Sequence, residues 1–319
     1  MPQFFQSARS RLLLLSVLLV CSVVPVSLRA QGKAVTIPFT ALGKDKRFVA
    51  GLRKEDIRIS DEGVPQEITK LEQQTERPFS LVIMIDTSFS QRGVLPTAKR
   101  AAIAILDSLI RPGKDSAAVM SFASEAILEQ GLTSDVERAR KGIANVQAES
   151  DVSIVLGGGT TDPKSRPPGS SASWDAIWLA CTDVLGEDKS DRRRAIILIT
   201  DGQDTASMKK MTQAIDQALQ AQVTIFAIGA GSKDYGIVEE TLNKITERTG
   251  GRAFFPEKIT ELPPILAELE HRLRSQYLVT YTPTPAKQGG KMRKVKIEIV
   301  NPELRKQNLR LSYQQGYFK

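Results

Sequence analysis

The stretch LVIMIDTSFS, residues 81–90, decides the fold. Five apolar residues run without interruption into Asp86, and hydroxyl side chains then follow on alternate positions, at Ser88 and Ser90. An unbroken apolar run of this kind is typical of a strand that is buried on both faces of a parallel sheet. Carboxylate and hydroxyl oxygens do not suit an apolar core. The sequence therefore predicts that the strand ends at a polar site.

Three more apolar runs share this character, and amphipathic segments separate them. The runs are SLVIMID (80–86), SAAVMSFA (116–123), AIILITD (195–201) and VTIFAIG (223–229). Apolar periodicity predicts helices near 96–110, 134–147, 172–186, 207–221, 237–249 and 259–273. Buried strands that alternate with helices form a mostly parallel sheet covered on both faces. We therefore expect an α/β fold with a doubly wound, Rossmann-like sheet.

The two flanks of this region alternate between apolar and polar residues instead. Such alternation predicts strands in AVTIPFTAL and EDIRIS before residue 78, and in QYLVTYTP and RKVKIEIV after residue 275. Neither flank has enough apolar surface to form a stable sheet alone, so we expect the two to pack as one small β unit. The predicted organisation is a signal peptide (1–30), an N-terminal β segment (31–78), an α/β domain (79–274) and a C-terminal β segment (275–319).

The first thirty residues have the pattern of a secretory signal peptide. Arg9 and Arg11 precede an acid-free apolar run from Leu12 to Leu28, and small residues follow near Ala30. The run is also at the lower limit for spanning a bilayer, so an N-terminal membrane anchor is an alternative. After removal of the signal we expect no membrane span. The protein is then exported, to the periplasm, the cell surface or the extracellular space.

The formal charge of +8 is unevenly distributed along the chain. Nine lysines and arginines and two glutamates lie in residues 287–319, and basic segments of this kind can bind nucleic acid. The alternation in KMRKVKIEIV favours another interpretation, with lysine and arginine on the solvated face of an edge strand. We therefore predict no nucleic-acid partner.

A second carboxylate, Asp201, follows another apolar run, so both it and Asp86 stand at strand ends. In a doubly wound sheet, ligands bind at the carboxyl ends of the strands, beside the point where the strand order reverses. Two carboxylates together with Ser88 and Ser90 make an all-oxygen donor set. Such a set suits Mg²⁺ or Mn²⁺ better than Zn²⁺.

A further metal ligand is expected from a hydroxyl on a loop that precedes a helix. Two candidates are Thr160 or its neighbour Thr161, in LGGGTTDP, and Ser171, in GSSASWDAI. Ser171 has the better spacing to the helix that begins near Trp174. Both lie in the segment 157–173, which is rich in glycine, proline and serine and has few apolar residues to pack. The sequence leaves both candidates open.

The order of these residues resembles the metal-ion-dependent adhesion site (MIDAS) of the von Willebrand factor A (VWFA) domain. That site reads D-x-S-x-S, then a threonine on a later loop, then an aspartate at a strand end. Asp86, Ser88 and Ser90 match the first element, and Asp201 in ITDGQD matches the last. In the middle element an insertion separates Gly-Gly-Thr from WDAI, so the third ligand that the resemblance implies is either Thr160 or Ser171.

The resemblance implies a fold, a cofactor and a partner. The flanks resemble those of the VWFA-related domain common in Acidobacteria, so the likeness extends over nearly the whole chain after the signal. In the family, the metal keeps an open coordination position that a carboxylate of a partner protein completes. A Mg²⁺ ion held by one or two carboxylates still attracts an acidic side chain.

We therefore expect a secreted or cell-surface binding module of the adhesion type, not an enzyme, with Mg²⁺ or Mn²⁺ as cofactor. Its expected ligand is an Asp or Glu carboxylate of a partner protein. One alternative is a Mg²⁺-dependent phosphoryl hydrolase with Asp86 as nucleophile, although position 88, where such enzymes often carry a second acid, is serine. Another alternative is a structural or assembly protein with a vestigial metal site.

Overall fold

A computed structural model describes residues 33–149, 167, 169–231, 236–283 and 292–318. The predicted signal peptide and Thr160 lie outside the described residues. None of the helices within these ranges is both long enough and apolar enough to cross a membrane.

Strands dominate the two ends of the chain, and strands and helices alternate in its middle. The strands are β1 (Val35–Leu42), β2 (Ile57–Asp61), β3 (Val64–Gln66), β4 (Ile68–Gln74), β5 (Phe79–Asp86), β6 (Ser116–Phe122), β7 (Ala126–Thr133), β8 (Arg193–Thr200), β9 (Val223–Gly229), β10 (Ala253–Phe254), β11 (Gln276–Tyr281), β12 (Arg293–Ile299), β13 (Arg310–Tyr313) and β14 (Gly316–Tyr317). The helices are α1 (Leu95–Leu109), α2 (Val136–Asn145), α3 (Ser173–Leu179), α4 (Met211–Gln220), α5 (Glu239–Arg248), α6 (Leu262–Arg274) and α7 (Pro302–Lys306). Each helix that the periodicity predicts is present, with ends shifted by a few residues. The segment predicted over 172–186 is α-helical only to Leu179 and continues as a π-helical turn over Ala180–Val184.

A six-stranded sheet forms the centre of the α/β region, in the order β10-β9-β8-β5-β6-β7. Neighbouring strands are parallel except for β7, which pairs with β6 as an antiparallel edge strand. β5 lies inside the sheet, and every one of its residues is buried. This environment explains its unbroken apolar sequence, because such a strand has no solvated face.

Helices cover both faces of this sheet, and the side chains of β5 alternate between them. Leu81, Ile83 and Ile85 pack in one core with α1, α2 and α6. Val82 and Met84 pack in a second core with α3, α4 and α5. Burial of each large apolar side chain stabilises the fold by roughly 1.5–3 kcal/mol. The predicted class, a doubly wound α/β sheet with helices on both faces, is confirmed.

The order of the strands reverses between β5 and β8. From β5 the chain moves outward to β6 and β7, and it then returns to β8 on the other side of β5 before continuing to β9 and β10. The connections that leave β5 and β8 therefore diverge, and a crevice forms between the carboxyl ends of these strands. Ile85 lies opposite Ile199, so the residues that follow at the two strand ends are also neighbours.

The two flanks form two antiparallel sheets of four strands, ordered β13-β1-β11-β4 and β14-β12-β2-β3. Each sheet contains strands from both ends of the chain, since β1 pairs with β11 and β2 pairs with β12. One apolar core contains side chains of both sheets, among them Phe39, Ile59, Tyr277 and Ile297. The predicted β structure from the flanks is thus present, as two packed sheets. The domain boundaries remain predictions.

Strand β12 is not the solvated edge strand that the sequence predicts, because it lies between β14 and β2 in its sheet. Lys294 and Lys296 are exposed as expected, but Arg293 lies on the same face as Val295 and is buried. Its Nε donates to Asp61 Oδ1 at 2.8 Å. The prediction was wrong for Arg293 because its partner lies 232 residues away in the sequence, and local alternation contains no trace of that partner.

The fully buried Asp61 carboxylate links the two β sheets. Besides Arg293, the hydroxyls of Tyr281 and Tyr317 donate to its Oδ2 at 3.0 and 2.8 Å. Burial raises the pKa of Tyr317 to about 12 and also raises the pKa of Tyr281. Both phenols therefore keep the protons that they donate. Since Tyr281 belongs to the first sheet and Asp61 to the second, this carboxylate ties the sheets together.

We predict that Asp61→Ala lowers the free energy of unfolding by about 3–5 kcal/mol, because it removes the acid of a buried ion pair and the acceptor of two tyrosine hydroxyls. The control is Glu298→Ala, which breaks an exposed ion pair with Lys296 on the same strand and should change stability little. Urea denaturation of the three proteins measures both effects. A loss in Asp61→Ala as small as that in Glu298→Ala would contradict the assignment.

Candidate functional site

Asp86 ends β5 with its side chain in the crevice between β5 and β8. Only 1% of its surface is exposed. The backbone N–H of Ser88 donates to Oδ1 at 3.0 Å, and the Thr200 hydroxyl donates to Oδ2. The two hydrogen bonds fix the carboxylate at the carboxyl ends of the strands.

A chain of polar contacts runs from Asp86 to Asp201. Ser88 is the N-cap residue of a single 3₁₀-helical turn over Phe89–Gln91. Its Oγ lies 3.3 Å from Ser90 Oγ. Ser90 Oγ in turn donates to Asp201 Oδ2 at 2.6 Å. The other oxygen, Oδ1, accepts from the backbone N–H of Gln203 at 2.9 Å. Four of the residues that the sequence singles out are therefore adjacent.

The segment that contains Ser171 lies between the two carboxylate-bearing loops. The carbonyl of Gly169 accepts from Phe89 N–H at 2.9 Å, and the carbonyl of Ser171 accepts from Thr205 N–H at 2.8 Å. Ser171 is buried, but its Oγ contacts Ser173 Oγ at 2.9 Å and forms no hydrogen bond with either carboxylate in the described part of the chain. The other candidate, Thr160, lies outside the described residues. The identity of the third ligand thus stays a prediction.

Two residues at the site were missed by the sequence reasoning. Thr200 holds Asp86, and its signal was a hydroxyl at the end of an otherwise apolar strand. Gln91 is 1% exposed, and its Nε2 donates to Asp201 Oδ2 at 2.8 Å. Its Oε1 is buried without a hydrogen-bond partner. Its position directly after the D-x-S-x-S stretch was the only sequence signal, and it did not show that the side chain is buried.

The electrostatics of the site are dominated by buried negative charge. Burial raises the pKa of Asp86 to about 7, hydrogen bonds from Ser88 and Thr200 oppose this rise, and the charge of Asp201 adds to it. Neither carboxylate forms an ion pair with a basic side chain within the described ranges. Two adjacent buried acids without a cation are costly, since each charge is removed from water without compensation.

The donor set fits a hard divalent cation. Carboxylates and hydroxyls are the oxygen ligands that Mg²⁺ and Mn²⁺ prefer, and Mg²⁺ usually retains several waters. The unpartnered Gln91 Oε1 is an acceptor that a metal-bound water would satisfy. Over the described residues, no three Asp, Glu, His or Cys side chains form a metal-binding group. Any cation here would therefore depend on serine hydroxyls and water as well as on the two acids.

No curated protein matches the chain, but several solved structures resemble it. Proximal thread matrix protein 1 from the mussel byssus is 18% identical, with 67% of this chain and 51% of that chain covered and a TM-score of 0.50. A second structure of that protein, with a zinc-occupied MIDAS motif, is also 18% identical, covers 68% and 50%, and has a TM-score of 0.48. A von Willebrand factor type A protein from Catenulispora acidiphila is 13% identical, covers 86% and 72%, and has a TM-score of 0.48.

The model of the von Willebrand factor type A (VWA) domain family matches residues 80–268. The match begins in β5 and ends in α6, so it includes the central sheet, the helices on both of its faces and the two carboxylates at the strand ends. The finer likeness to the VWFA-related domain of Acidobacteria stays a prediction. Because the matched region is more than half of the chain, this protein belongs to the von Willebrand factor type A domain family.

Proposed function

We propose that this protein is an exported binding module in which a divalent cation, at the carboxyl ends of β5 and β8, recognises a carboxylate of a partner protein. The proposed metal ligands are Asp86, Ser88, Ser90, Asp201 and either Ser171 or Thr160. Export is proposed from the signal-like segment at residues 1–30. The coarser statement follows from the family: VWA domains mediate protein–protein interactions.

One observation carries the proposal: two buried carboxylates are joined through serine hydroxyls and have no basic partner in the described part of the chain. At neutral pH such a pair is relieved either by protonation of one acid, as the raised pKa of Asp86 indicates, or by a compensating positive charge. A bound Mg²⁺ or Mn²⁺ would supply that charge and an open coordination position for an acidic side chain.

The protein's own residues would hold and orient this centre. Thr200 and the Ser88 N–H fix the Asp86 carboxylate, while Gln91 and the Gln203 N–H fix the Asp201 carboxylate. Ser88 and Ser90 add oxygen donors without adding negative charge. The cation would therefore stay incompletely neutralised, which favours an Asp or Glu of a partner over a neutral group.

The environment of Asp86 argues against the phosphoryl hydrolase alternative. A nucleophilic carboxylate must reach the phosphorus atom, but Asp86 is almost fully buried and both of its oxygens accept hydrogen bonds. The donors are a backbone N–H and a threonine hydroxyl, and neither is suited to general acid–base work at neutral pH.

We predict saturable binding of Mg²⁺ and Mn²⁺ to the purified protein in calorimetric titrations. Asp86→Asn keeps the side-chain volume but removes the charged ligand, so it should weaken binding by roughly a hundredfold or more. Asp107→Ala, which removes an exposed carboxylate paired with Arg140, is the matched control and should bind as the wild type does. Absence of metal binding in a folded wild-type protein would instead support the vestigial-site alternative.

The third ligand can be assigned by three alanine variants. We expect Ser171→Ala to weaken Mg²⁺ binding by roughly tenfold or more, because its segment is tied to both carboxylate loops. Ser170→Ala removes a neighbouring hydroxyl that donates to Pro167 O and should have no effect. A loss in Thr160→Ala with normal binding by Ser171→Ala would assign the ligand to Thr160.

Gln91 should influence the metal without contacting it. Gln91→Leu removes the donor to Asp201 and the unpartnered acceptor, and we expect Mg²⁺ affinity to fall roughly 10–100-fold. Gln220→Leu, at an exposed position at the end of α4, makes the same chemical change elsewhere and should leave affinity unchanged. Circular dichroism establishes that both variants fold. Equal affinities for the two variants would show that Gln91 only fills space.

A further inference from the structure

A crevice of ≈ 270 Å³ lies at the end of the central sheet opposite to the candidate metal site. Arg193 begins β8 and Thr200 ends it, so roughly 23 Å separates the two regions along this strand. Arg77, Arg192, Arg193 and Arg194 line one side of the crevice, and strands β1 and β11 line the other. The crevice is therefore a strongly basic site between the central sheet and the flanking sheet of order β13-β1-β11-β4.

Most hydrogen bonds of these arginines go to backbone carbonyls. Arg192 Nε donates to Lys114 O at 3.0 Å, and Arg193 Nη1 donates to Leu273 O. Arg194 donates to Asp188 O at 2.7 Å and to Ala221 O at 3.2 Å. A neutral carbonyl satisfies an N–H group but does not cancel the charge. These contacts hold the guanidinium groups in place and leave the crevice positive.

Arg193 is the least compensated of the four. Its Nε and Nη2 are buried without a hydrogen-bond partner. Burial, together with the charge of Arg77, lowers the pKa of Arg193 to about 9, so the group is still charged at pH 7. Within the described residues no carboxylate bonds to it. A buried, unpaired cation is unfavourable by several kcal/mol in general, and an anion beside it would remove that cost.

Carboxylates near the crevice neutralise only part of the charge. Asp191 bonds to Arg77, but its side chain is 98% exposed, and exposed pairs of this kind contribute little. Asp188 is close enough to Arg192 to interact with its charge. Four arginines and these two acids leave two positive charges. A phosphate group carries about −1.5 to −2 at pH 7, so its charge matches this excess.

We propose that this crevice is a binding site for a phosphate group. Arg77, Arg192 and Arg194 would contact the phosphate group, and its negative charge would also compensate the charge of Arg193. The guanidinium fork matches the geometry of phosphate oxygens and donates two hydrogen bonds at once. The volume also leaves room for a small ester substituent on the phosphate. The proposal is independent of the metal site, since the two regions share no residue.

Calorimetric titration with inorganic phosphate, in EDTA and at constant ionic strength, tests the proposal. We expect saturable binding by the wild-type protein and a loss of affinity of roughly tenfold or more in Arg192→Gln, because a charged hydrogen bond is removed. Arg100→Gln makes the same change at an exposed position of α1 and should bind normally. Asp86→Asn should also bind phosphate normally, which separates this proposal from the metal proposal.

The source of the phosphate group is distinguished with vesicles. Binding to vesicles that contain phosphatidic acid, whose headgroup is a phosphomonoester, but not to phosphatidylcholine vesicles, with competition by inorganic phosphate, would indicate an anionic lipid headgroup. Binding of inorganic phosphate without vesicle binding would indicate a soluble phosphate or phosphate ester.

Arg77→Gln provides a second variant if Arg192→Gln folds poorly. The proposal is overturned if wild-type protein shows no saturable phosphate binding, or if both crevice variants bind as tightly as Arg100→Gln.

Discussion

The parallel pairing of two buried strands, β5 and β8, is the constraint on which the rest of the structure depends. Their backbone groups are out of water and must bond to each other, so the register is fixed over the whole length of the pair. With Ile85 opposite Ile199, the residues that follow, Asp86 and Thr200, are held side by side, and Asp201 comes directly after Thr200. Asp86 and Asp201 are adjacent because the sheet forms, although placing two acids together is unfavourable in itself.

The sequence contained most of the information needed for this half of the fold. Continuous apolar runs indicate strands with two buried faces, and the rule for strand ends in a doubly wound sheet then brings Asp86, Ser88, Ser90 and Asp201 together. The sequence could not show which residues hold these four side chains in place. A single threonine or glutamine beside a turn more often serves local structure, so Thr200 and Gln91 became recognisable only through their contacts.

The flanking sheets were less predictable because their pairing is long-range. Alternation predicts that a segment is a strand and which side chains share a face, but it does not identify the partner strand. Arg293 shows the consequence: its type suggested solvent, whereas its face is buried and Asp61 lies opposite. Strand β10 has only two residues and helix α7 only five, too few for a periodic pattern to be visible.

Strand β8 connects two sites with opposite electrostatic problems. It begins among arginines whose charge is only partly neutralised, and it ends beside two carboxylates that have no basic partner among the described residues. If the chain alone set the energetics, exchanging such groups for apolar ones would be favourable. Their presence at both ends of one buried strand is accounted for if ligands of opposite charge compensate them. Each ligand would then stabilise the same central sheet by RT ln(1 + L/Kd), where L is the free ligand concentration, because it binds the folded state and not the unfolded chain.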